Sequence, residues 1–275
     1  CWGGSPISCH YCRCWPSEGL VRSRCIFNAM ESDYDSLEDL WYPWLFTRLH
    51  RFIAEKVIGT WADPTSQHVL DLGCGTGFQS LLYASAGARV TGIDVADKLL
   101  GVAKRKPVPD LSQGNIQLFK LHFPFMESQV RRTSEVLRAM TTGVKGRADF
   151  IAAAGEELPF PDNSFSHVNC CGSVLSLVPD HHAVLSEINR VLRPGGTFVL
   201  EVEGRLTIDL FWALADATVF RGKLGFDISF KEALSAITRP IGEHARTDFA
   251  FGESRNPVHL DIALFSKHGL RRDLT

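Results

Sequence analysis

Three glycines at two-residue spacing, Gly73, Gly75 and Gly77, follow the carboxylate of Asp71 at the end of a short apolar run. Residues 68–72 predict a strand, and residues 79–86 predict a helix. Glycine at a strand-to-helix turn permits a positive φ, and it lets a ligand approach the backbone where the helix presents free N–H groups. The pattern therefore indicates a ligand-binding turn between the first strand and its helix.

A second carboxylate strengthens this interpretation. Residues 89–94 predict another strand, which ends in Asp94, 23 residues after Asp71. In nucleotide-binding α/β units, an acid at the end of the second strand accepts hydrogen bonds from ribose hydroxyls. Asp94 could instead cap the helix predicted over 96–104. We favour ribose binding, because two successive strands end in groups that suit a nucleotide.

Four motifs occur in order along the chain. They read DLGCGTG at 71–77, GID at 92–94, GEELPFPDNSF at 155–165 and RVLRPGG at 190–196. Together they resemble the class I S-adenosylmethionine-dependent methyltransferases, specifically the small-molecule group similar to quinone-biosynthesis C-methyltransferases, over about residues 66–204. Dinucleotide dehydrogenases prefer G-x-G-x-x-G, whereas this turn reads G-x-G-x-G.

The resemblance implies an α/β fold with a Rossmann-like doubly wound sheet of order 3-2-1-4-5 and helices on both faces. The fourth strand is predicted over 165–175 and the fifth over 197–203, after a turn at 193–196. A full fold of this family adds two further strands. We expect these final strands to be missing, because the chain ends at Thr275, directly after a predicted helix over 267–274. We therefore expect a truncated C-terminus.

The same resemblance implies S-adenosyl-L-methionine as cofactor and assigns its contacts. The first motif holds the methionine part through its backbone, Asp94 accepts from the ribose, and the loop 153–157 borders the adenine. The predicted cofactor-binding residues, including neighbours of these motifs and one residue of the fourth strand, are Asp71, Gly73, Cys74, Gly75, Gly77, Asp94, Val95, Ala154, Gly155, Glu156 and Cys170.

One position departs from the family pattern. Family members often carry Asp or Asn where this chain has Ala154, and that side chain would accept from the adenine amino group. Adenine recognition must then rest on backbone groups, on a neighbour such as Glu156, or on packing. No catalytic residue is identified. His181 and His182 lie at the start of a helix predicted over 181–192. One of them could act as a general base, but the alternative is that both are ordinary solvated residues at a helix start.

Cysteine is unevenly distributed: five of the eight fall in the first 25 residues. Cys9, Cys12 and Cys14 with His10 could form a metal knuckle, but no second ligand pair follows. We favour a non-native or disordered leader over residues 1–29, with the protein beginning near Met30, and we predict no metal site. Cys170 and Cys171 are adjacent in a strand, so they face opposite sides and cannot easily share an ion.

The remaining chain divides into a helical cap over 30–65, the cofactor-binding domain over 66–204 and a substrate-side region over 205–275. The cap contains an amphipathic helix over 36–58, interrupted near Pro43. An insertion over 107–146 is long enough to be a functional lid; it contains an aromatic patch and a helical pattern with Arg131, Arg132 and Arg138. The region after Gly204 begins with a predicted apolar helix over 206–220.

Composition narrows the function. The chain has 29 Lys+Arg, 31 Asp+Glu and a formal net charge of −2, which argues against a nucleic-acid partner. The sequence contains no run of about 18 apolar residues, so no membrane-spanning helix is predicted. We predict a cytoplasmic methyltransferase that acts on a small apolar molecule by in-line displacement, with its oligomeric state open. The alternatives are a non-catalytic S-adenosylmethionine-binding module and an NAD-dependent oxidoreductase.

Overall fold

The structure is a computed structural model that describes residues 18–31, 34–35, 43–109, 131, 135, 139, 144–205, 214–215, 218–219, 231, 234–235, 238–240, 243–251 and 258–275. Three parts of the chain lie outside these residues: the cysteines considered above as a metal knuckle, the aromatic patch of the 107–146 insertion and most of the predicted helix 206–220. Within the described part of the chain, no helix has both the length and the apolar character needed to cross a membrane.

Five parallel strands form the central sheet in the order β3-β2-β1-β4-β5. The strands are β1 (His68–Leu72), β2 (Arg89–Asp94), β3 (Arg147–Ala152), β4 (Phe165–Cys170) and β5 (Leu192–Leu200). The helices are α1 (Glu18–Ala29), α2 (Pro43–Lys56), α3 (Phe78–Ser85), α4 (Asp97–Arg105), α5 (Val174–Leu177), α6 (His181–Val191) and α7 (Lys267–Asp273). The predicted doubly wound sheet and its strand order are confirmed.

Apolar residues are buried on both faces of this sheet, because successive strand residues point to opposite sides. One core joins β1 and β4 to α6 and includes Leu70, Leu72, Val168, Val184 and Ile188. The other joins β1 and β2 to α2 and α3 and includes Ile53, Val69, Leu82, Tyr83 and Val90. Each such side chain contributes about 1.5–3 kcal/mol when fully buried.

A row of buried polar side chains lies beneath α3, on the face that α3 covers. Asn169 Nδ2 donates to Asp71 Oδ1 at 2.7 Å, and Tyr83 Oη donates to Asn169 Oδ1 at 3.2 Å. The row continues from Tyr83 Oη to His167 Nε2 at 3.1 Å and from His167 Nδ1 to Thr197 Oγ1 at 2.9 Å. These bonds satisfy polar groups that would otherwise be buried at a cost in stability.

The start of β5 differs from its prediction. Residues 193–196 were predicted as a turn, but β5 begins at Leu192 and runs through them. Its pairing with β4 is irregular between Phe165 and His167, and Gly195 has a φ of +75°. A bulge with glycine in the left-handed region accommodates the extra length without ending the strand.

Two strands that the sequence analysis expected to be missing are present. β6 (Ala245–Phe251) and β7 (Val258–Leu264) form an antiparallel pair in a sheet of their own, and a parallel bridge joins Gly204 to Phe265. The prediction of missing final strands thus holds for the central sheet, which has five strands among the described residues, but not for the chain, which continues into this separate pair. The sequence of β7, VHLDIAL, does alternate apolar and other residues, which is typical of a half-buried strand.

Residues 18–29, which belong to the predicted non-native or disordered leader, are ordered as the helix α1. Arg24 Nη2 lies 3.0 Å from Asp97 Oδ1, and Asn28 Nδ2 donates to the same oxygen at 2.8 Å. The Lys98 N–H in turn donates to Asn28 Oδ1 at 3.0 Å. Such tertiary contacts with the start of α4 stabilise a helix whose own periodicity is weak. The division of the chain into domains stays a prediction.

Candidate functional site

The carboxyl ends of β1 to β4 lie along one edge of the sheet. The connections from β1 and from β4 leave in opposite directions, since the order is β3-β2-β1-β4-β5. A crevice forms at such a reversal, and ligands of doubly wound sheets bind there. The glycine turn, Asp94, the loop after β3 and the turn after β4 all follow these strand ends, so the fold brings the predicted motifs to one edge.

The glycine turn has the geometry that its sequence predicts. Gly73, Gly75 and Gly77 have φ values of +71°, +52° and +86°, which other residues rarely adopt. A Cβ on Gly73 would overlap a methyl group of Val174, and one on Gly75 would lie 3.3 Å from Tyr34 Oη. The α3 helix then begins at Phe78, directly after Gly77. Both the backbone and the neighbouring side chains require glycine here.

Asp94 joins the glycine turn to the start of α4. Its Oδ2 accepts from the Gly75 N–H at 2.9 Å, and its Oδ1 accepts from the Ala96 N–H at 2.7 Å. Burial raises the pKa of Asp94, although these two bonds oppose the rise. A carboxylate has about four acceptor positions, so these bonds leave acceptor capacity for a ribose hydroxyl. Val95 lies half-buried beside it.

Asp71 lies beneath the turn rather than at an open surface. Its side chain is 0% exposed and accepts from Ser80 Oγ at 2.5 Å as well as from Asn169. Burial raises the pKa of Asp71 to about 6. Its carboxylate therefore fastens α3 to β1 and β4, and the predicted direct contact with a cofactor does not fit this position.

The two predicted cysteines are also buried. Cys74 packs against Leu100, Ala103 and Phe150, and burial raises the pKa of its thiol well above the ordinary value. Cys170 is 0% exposed in the core beneath α6, where burial raises its pKa to about 12. Neither thiol is exposed at the edge of the sheet, so any contact with a ligand must come from the backbone.

The loop after β3 presents an unusual carboxylate. Ala154 and Gly155 are buried, and the N–H of Ala153 donates to the carbonyl of Asp94 at 3.1 Å. Both carboxylate oxygens of Glu156 are buried and have no hydrogen-bond partner among the described residues. Burial, aided by the charge of Asp180, raises the pKa of Glu156. Burying a carboxylate without donors is costly, so this group fits a ligand that brings an N–H or O–H.

Sequence reasoning missed the residues that cover the glycine turn. Thr76 Oγ1 donates to Asp35 Oδ1 at 2.6 Å, and Lys106 Nζ lies 2.8 Å from Asp35 Oδ2. Tyr34, the neighbour of Asp35, is the residue nearest to a Cβ on Gly75. A single Tyr-Asp pair has no spacing that would distinguish it, so no pattern in the sequence could have identified these contacts.

Sequence reasoning also missed the support of the turn after β4. Glu201 Oε2 accepts from the backbone N–H groups of Gly172 and Ser173, both at 2.8 Å. Ser173 has a φ of +59°, which is uncommon for a residue other than glycine. The sequence does carry a signal for this contact, because an acid directly after β5 must lie beside the end of β4 in this strand order.

Comparisons with known proteins agree with the fold and the motifs. The family described as "Methyltransferase domain" matches residues 70–200. Demethylmenaquinone methyltransferase of Staphylococcus aureus (strain MRSA252) is 29% identical over 189 residues, covering 68% of this chain and 62% of that protein. The enzyme of the same name from Symbiobacterium thermophilum is 29% identical over 191 residues, covering 67% and 60%. The chain thus spans about three fifths of the length of these relatives.

A solved structure supports the fold. The PH0226 protein from Pyrococcus horikoshii OT3 superposes with a TM-score of 0.51 at 18% sequence identity, covering 88% of this chain and 84% of that one. At this identity the likeness concerns the architecture alone. It extends well beyond residues 70–200, to most of the chain.

Proposed function

We propose that this chain, whose residues 70–200 match the family described as "Methyltransferase domain", is a class I S-adenosylmethionine-dependent methyltransferase that moves the methyl group of S-adenosyl-L-methionine to a small acceptor molecule. The observation that carries the proposal is the glycine turn with its three positive φ angles, fastened to Asp94 at the carboxyl edge of the sheet. Turn and acid together suit a ligand with both a charged chain and a ribose.

The residues at this edge fit the cofactor. The three glycines of the turn place no side chain where the methionine part would approach the backbone, and Asp94 retains acceptor capacity for a ribose hydroxyl. The loop at Ala154 and Gly155 would border the adenine. Glu156, whose oxygens lack partners in the described structure, would accept from the adenine amino group in place of the side chain that Ala154 does not provide.

Methyl transfer requires little from the protein beyond holding the cofactor and the acceptor in position. The bound cofactor supplies a reactive sulfonium that carries the methyl group. The chain's own residues hold acceptor, methyl carbon and sulfur near one line, and this orientation accounts for most of the rate enhancement. We assign Asp71, Cys74 and Cys170 to the support of the site rather than to ligand contact.

The acceptor is proposed from the relatives. Two of them are named demethylmenaquinone methyltransferases, so we propose an apolar ring compound of the quinone class rather than a nucleic acid. A cytoplasmic location belongs to the same proposal.

Calorimetric titration of the purified chain with S-adenosylmethionine, S-adenosylhomocysteine and NAD tests the cofactor. We expect both sulfur compounds to bind and Asp94→Ala to weaken their binding by about 1–3 kcal/mol, the usual loss when a buried acceptor is removed. Asp149→Ala is the matched control, because this exposed carboxylate lies on β3 of the same sheet but before its carboxyl end. Affinity unchanged in Asp94→Ala, or binding of NAD alone, would contradict the proposal.

Transfer itself is tested with methyl-labelled cofactor and demethylmenaquinone. We expect label in the quinone with wild-type chain and a reduced rate with Asp94→Ala at low cofactor concentration. Cofactor binding without label in any acceptor would instead support a non-catalytic binding module.

A further inference from the structure

Three metal-ligating side chains meet outside the residues assigned to the cofactor. They come from the start of α6, from the residue before β6 and from the end of α7, and they are His181, His244 and Asp273. Each offers one ligand atom, and these atoms lie within 4.8 Å of one another. His244 Nε2 lies 2.7 Å, and His181 Nε2 lies 3.6 Å, from the same carboxylate oxygen, Asp273 Oδ2.

The cluster is largely shielded from solvent. The side chain of Asp273 is 3% exposed, and those of His244 and His181 are 15% and 16% exposed. The ring of Phe265 packs against both imidazoles, with centroid distances of 4.5 Å and 5.1 Å. Polar atoms in such surroundings need partners.

One ligand atom lacks such a partner. Asp273 accepts from His244, whereas His181 Nε2 is buried and makes no hydrogen bond to any residue that the structure describes. It nevertheless lies within 4 Å of the Asp273 carboxylate, which is the arrangement of a ligand set that a cation would complete.

We propose that His181, His244 and Asp273 bind one divalent cation of the zinc class, with water in a fourth position. Two imidazoles and one carboxylate suit Zn²⁺ and its nitrogen-preferring neighbours, whereas Ca²⁺ and Mg²⁺ prefer all-oxygen sets. Donor atoms of a tetrahedral zinc site lie about 3.3 Å apart. Small side-chain rotations bring the present distances of 2.7 Å and 3.6 Å to that value.

Cation binding changes the proton position on His244. The Ser266 N–H donates to His244 Nδ1 at 3.3 Å, so the neutral ring carries its proton on Nε2, facing Asp273. A cation on Nε2 displaces this proton to Nδ1, and the long bond from Ser266 is lost. The total number of protons is unchanged, and the ligands remain two neutral imidazoles and a carboxylate.

The bound cation would cross-link three elements. It would join the β6–β7 pair and α7 to α6, which packs directly on the central sheet. This cation site is independent of the proposed methyl transfer, because its three residues are not among those assigned to the cofactor.

Zinc titration of the full chain tests the site. The five N-terminal cysteines are first replaced by serine so that their thiols cannot bind the metal. They are Cys1, Cys9, Cys12, Cys14 and Cys25. We expect one saturable Zn²⁺ site per chain by calorimetry, and a Co²⁺ spectrum without thiolate charge-transfer bands. His181→Asn and His244→Asn should each weaken binding by more than about tenfold. His182→Asn is the matched control, since the His182 ring packs against His181 in a tilted contact with a centroid distance of 4.2 Å but does not belong to the ligand set.

The melting temperature provides a second measurement. It uses the histidine variants and needs no variant of Asp273. Zn²⁺ should raise the melting temperature of the serine-substituted parent and of His182→Asn, but not that of His181→Asn, since a ligand stabilises only the state that binds it. Circular dichroism checks that each variant is folded. Absence of saturable binding in the parent, or a zinc response that persists in His181→Asn, would overturn the proposal.

Discussion

At the scale of single residues, two glycines with similar backbone angles have different surroundings. Gly73 and Gly172 have φ values of +71° and +85°. A Cβ on Gly73 would overlap Val174, whereas a Cβ on Gly172 would meet nothing within 4 Å among the described residues. Backbone strain and steric overlap can therefore be separated by one pair of substitutions.

We expect Gly172→Ala to lower the free energy of unfolding by about 1–2 kcal/mol, from the left-handed backbone alone. Gly73→Ala should lower it by a further 1–3 kcal/mol or so, because the new methyl group is forced into Val174. Urea denaturation of both variants measures the difference.

A second substitution identifies the cause. Val174→Ala removes the overlapping methyl groups, so the double variant Gly73→Ala/Val174→Ala should regain part of the extra loss. Equal losses for Gly73→Ala and Gly172→Ala would show that the overlap is relieved by small movements of the chain.

Residue types and spacing identified some of the site but not all of it. The three glycines and Asp94 were predicted because their function requires a special backbone or a strand end, and both leave a pattern in the sequence. The burial of Asp71 could not be predicted, because it depends on Ser80 and Asn169, which meet it only in the folded chain. Tyr34 and Asp35 depend in the same way on a contact between distant segments.

At the scale of elements, Glu201 links the end of β5 to the turn after β4. Its carboxylate accepts from the N–H groups of Gly172 and Ser173. These bonds hold Ser173 in the left-handed region, and a residue in that conformation persists only when its surroundings determine it. The turn therefore depends on an adjacent strand rather than on its own sequence.

We expect Glu201→Ala to lower the free energy of unfolding by about 1–3 kcal/mol, since two N–H groups lose a charged acceptor. Glu201→Gln retains one acceptor oxygen and should lose less. Urea denaturation compares the two variants with wild type. Equal losses in both would mean that the charge, and not the acceptor, maintains the turn.

Elements with strong periodicity were predicted well, and their boundaries less well. The first two strands and their helices were predicted to within one or two residues, since both ends carry glycine or acidic signals. The boundaries of β4 and β5 were less accurate, because a bulge with Gly195 lets β5 continue where the sequence predicts a turn. Helix α1 was missed because contacts with α4 stabilise it.

At the scale of the whole molecule, buried histidines make stability depend on pH. His167 is 0% exposed, and burial lowers its pKa from 6.5 to about 4. Between these values the unfolded chain binds more protons than the folded one, so stability falls as the pH falls from 6.5 through 4. Burial also lowers the pKa of His50, to about 3, which adds in the same direction.

We expect His167→Gln to lose less stability than wild type between pH 7 and pH 4.5. The difference should be about 2–3 kcal/mol, from a shift of more than two pH units at 1.36 kcal/mol each. Urea denaturation at the two pH values measures it. Asp71 changes stability with pH in the opposite direction, since burial raises its pKa to about 6. Both proteins contain Asp71, so its contribution largely cancels in the comparison. The same pH dependence in both proteins would contradict the assignment to His167.

The buried row from Asp71 through Asn169, Tyr83 and His167 to Thr197 also limits how this protein can diverge. Replacing one member leaves its neighbour without a partner in the interior, which is costlier than changing both together. Substitutions along the row should therefore appear in matched pairs among related sequences, even though its members are separated by up to 126 positions between Asp71 and Thr197. A lineage that exchanges Tyr83 for phenylalanine would be expected to carry a new partner for Asn169 or His167 as well.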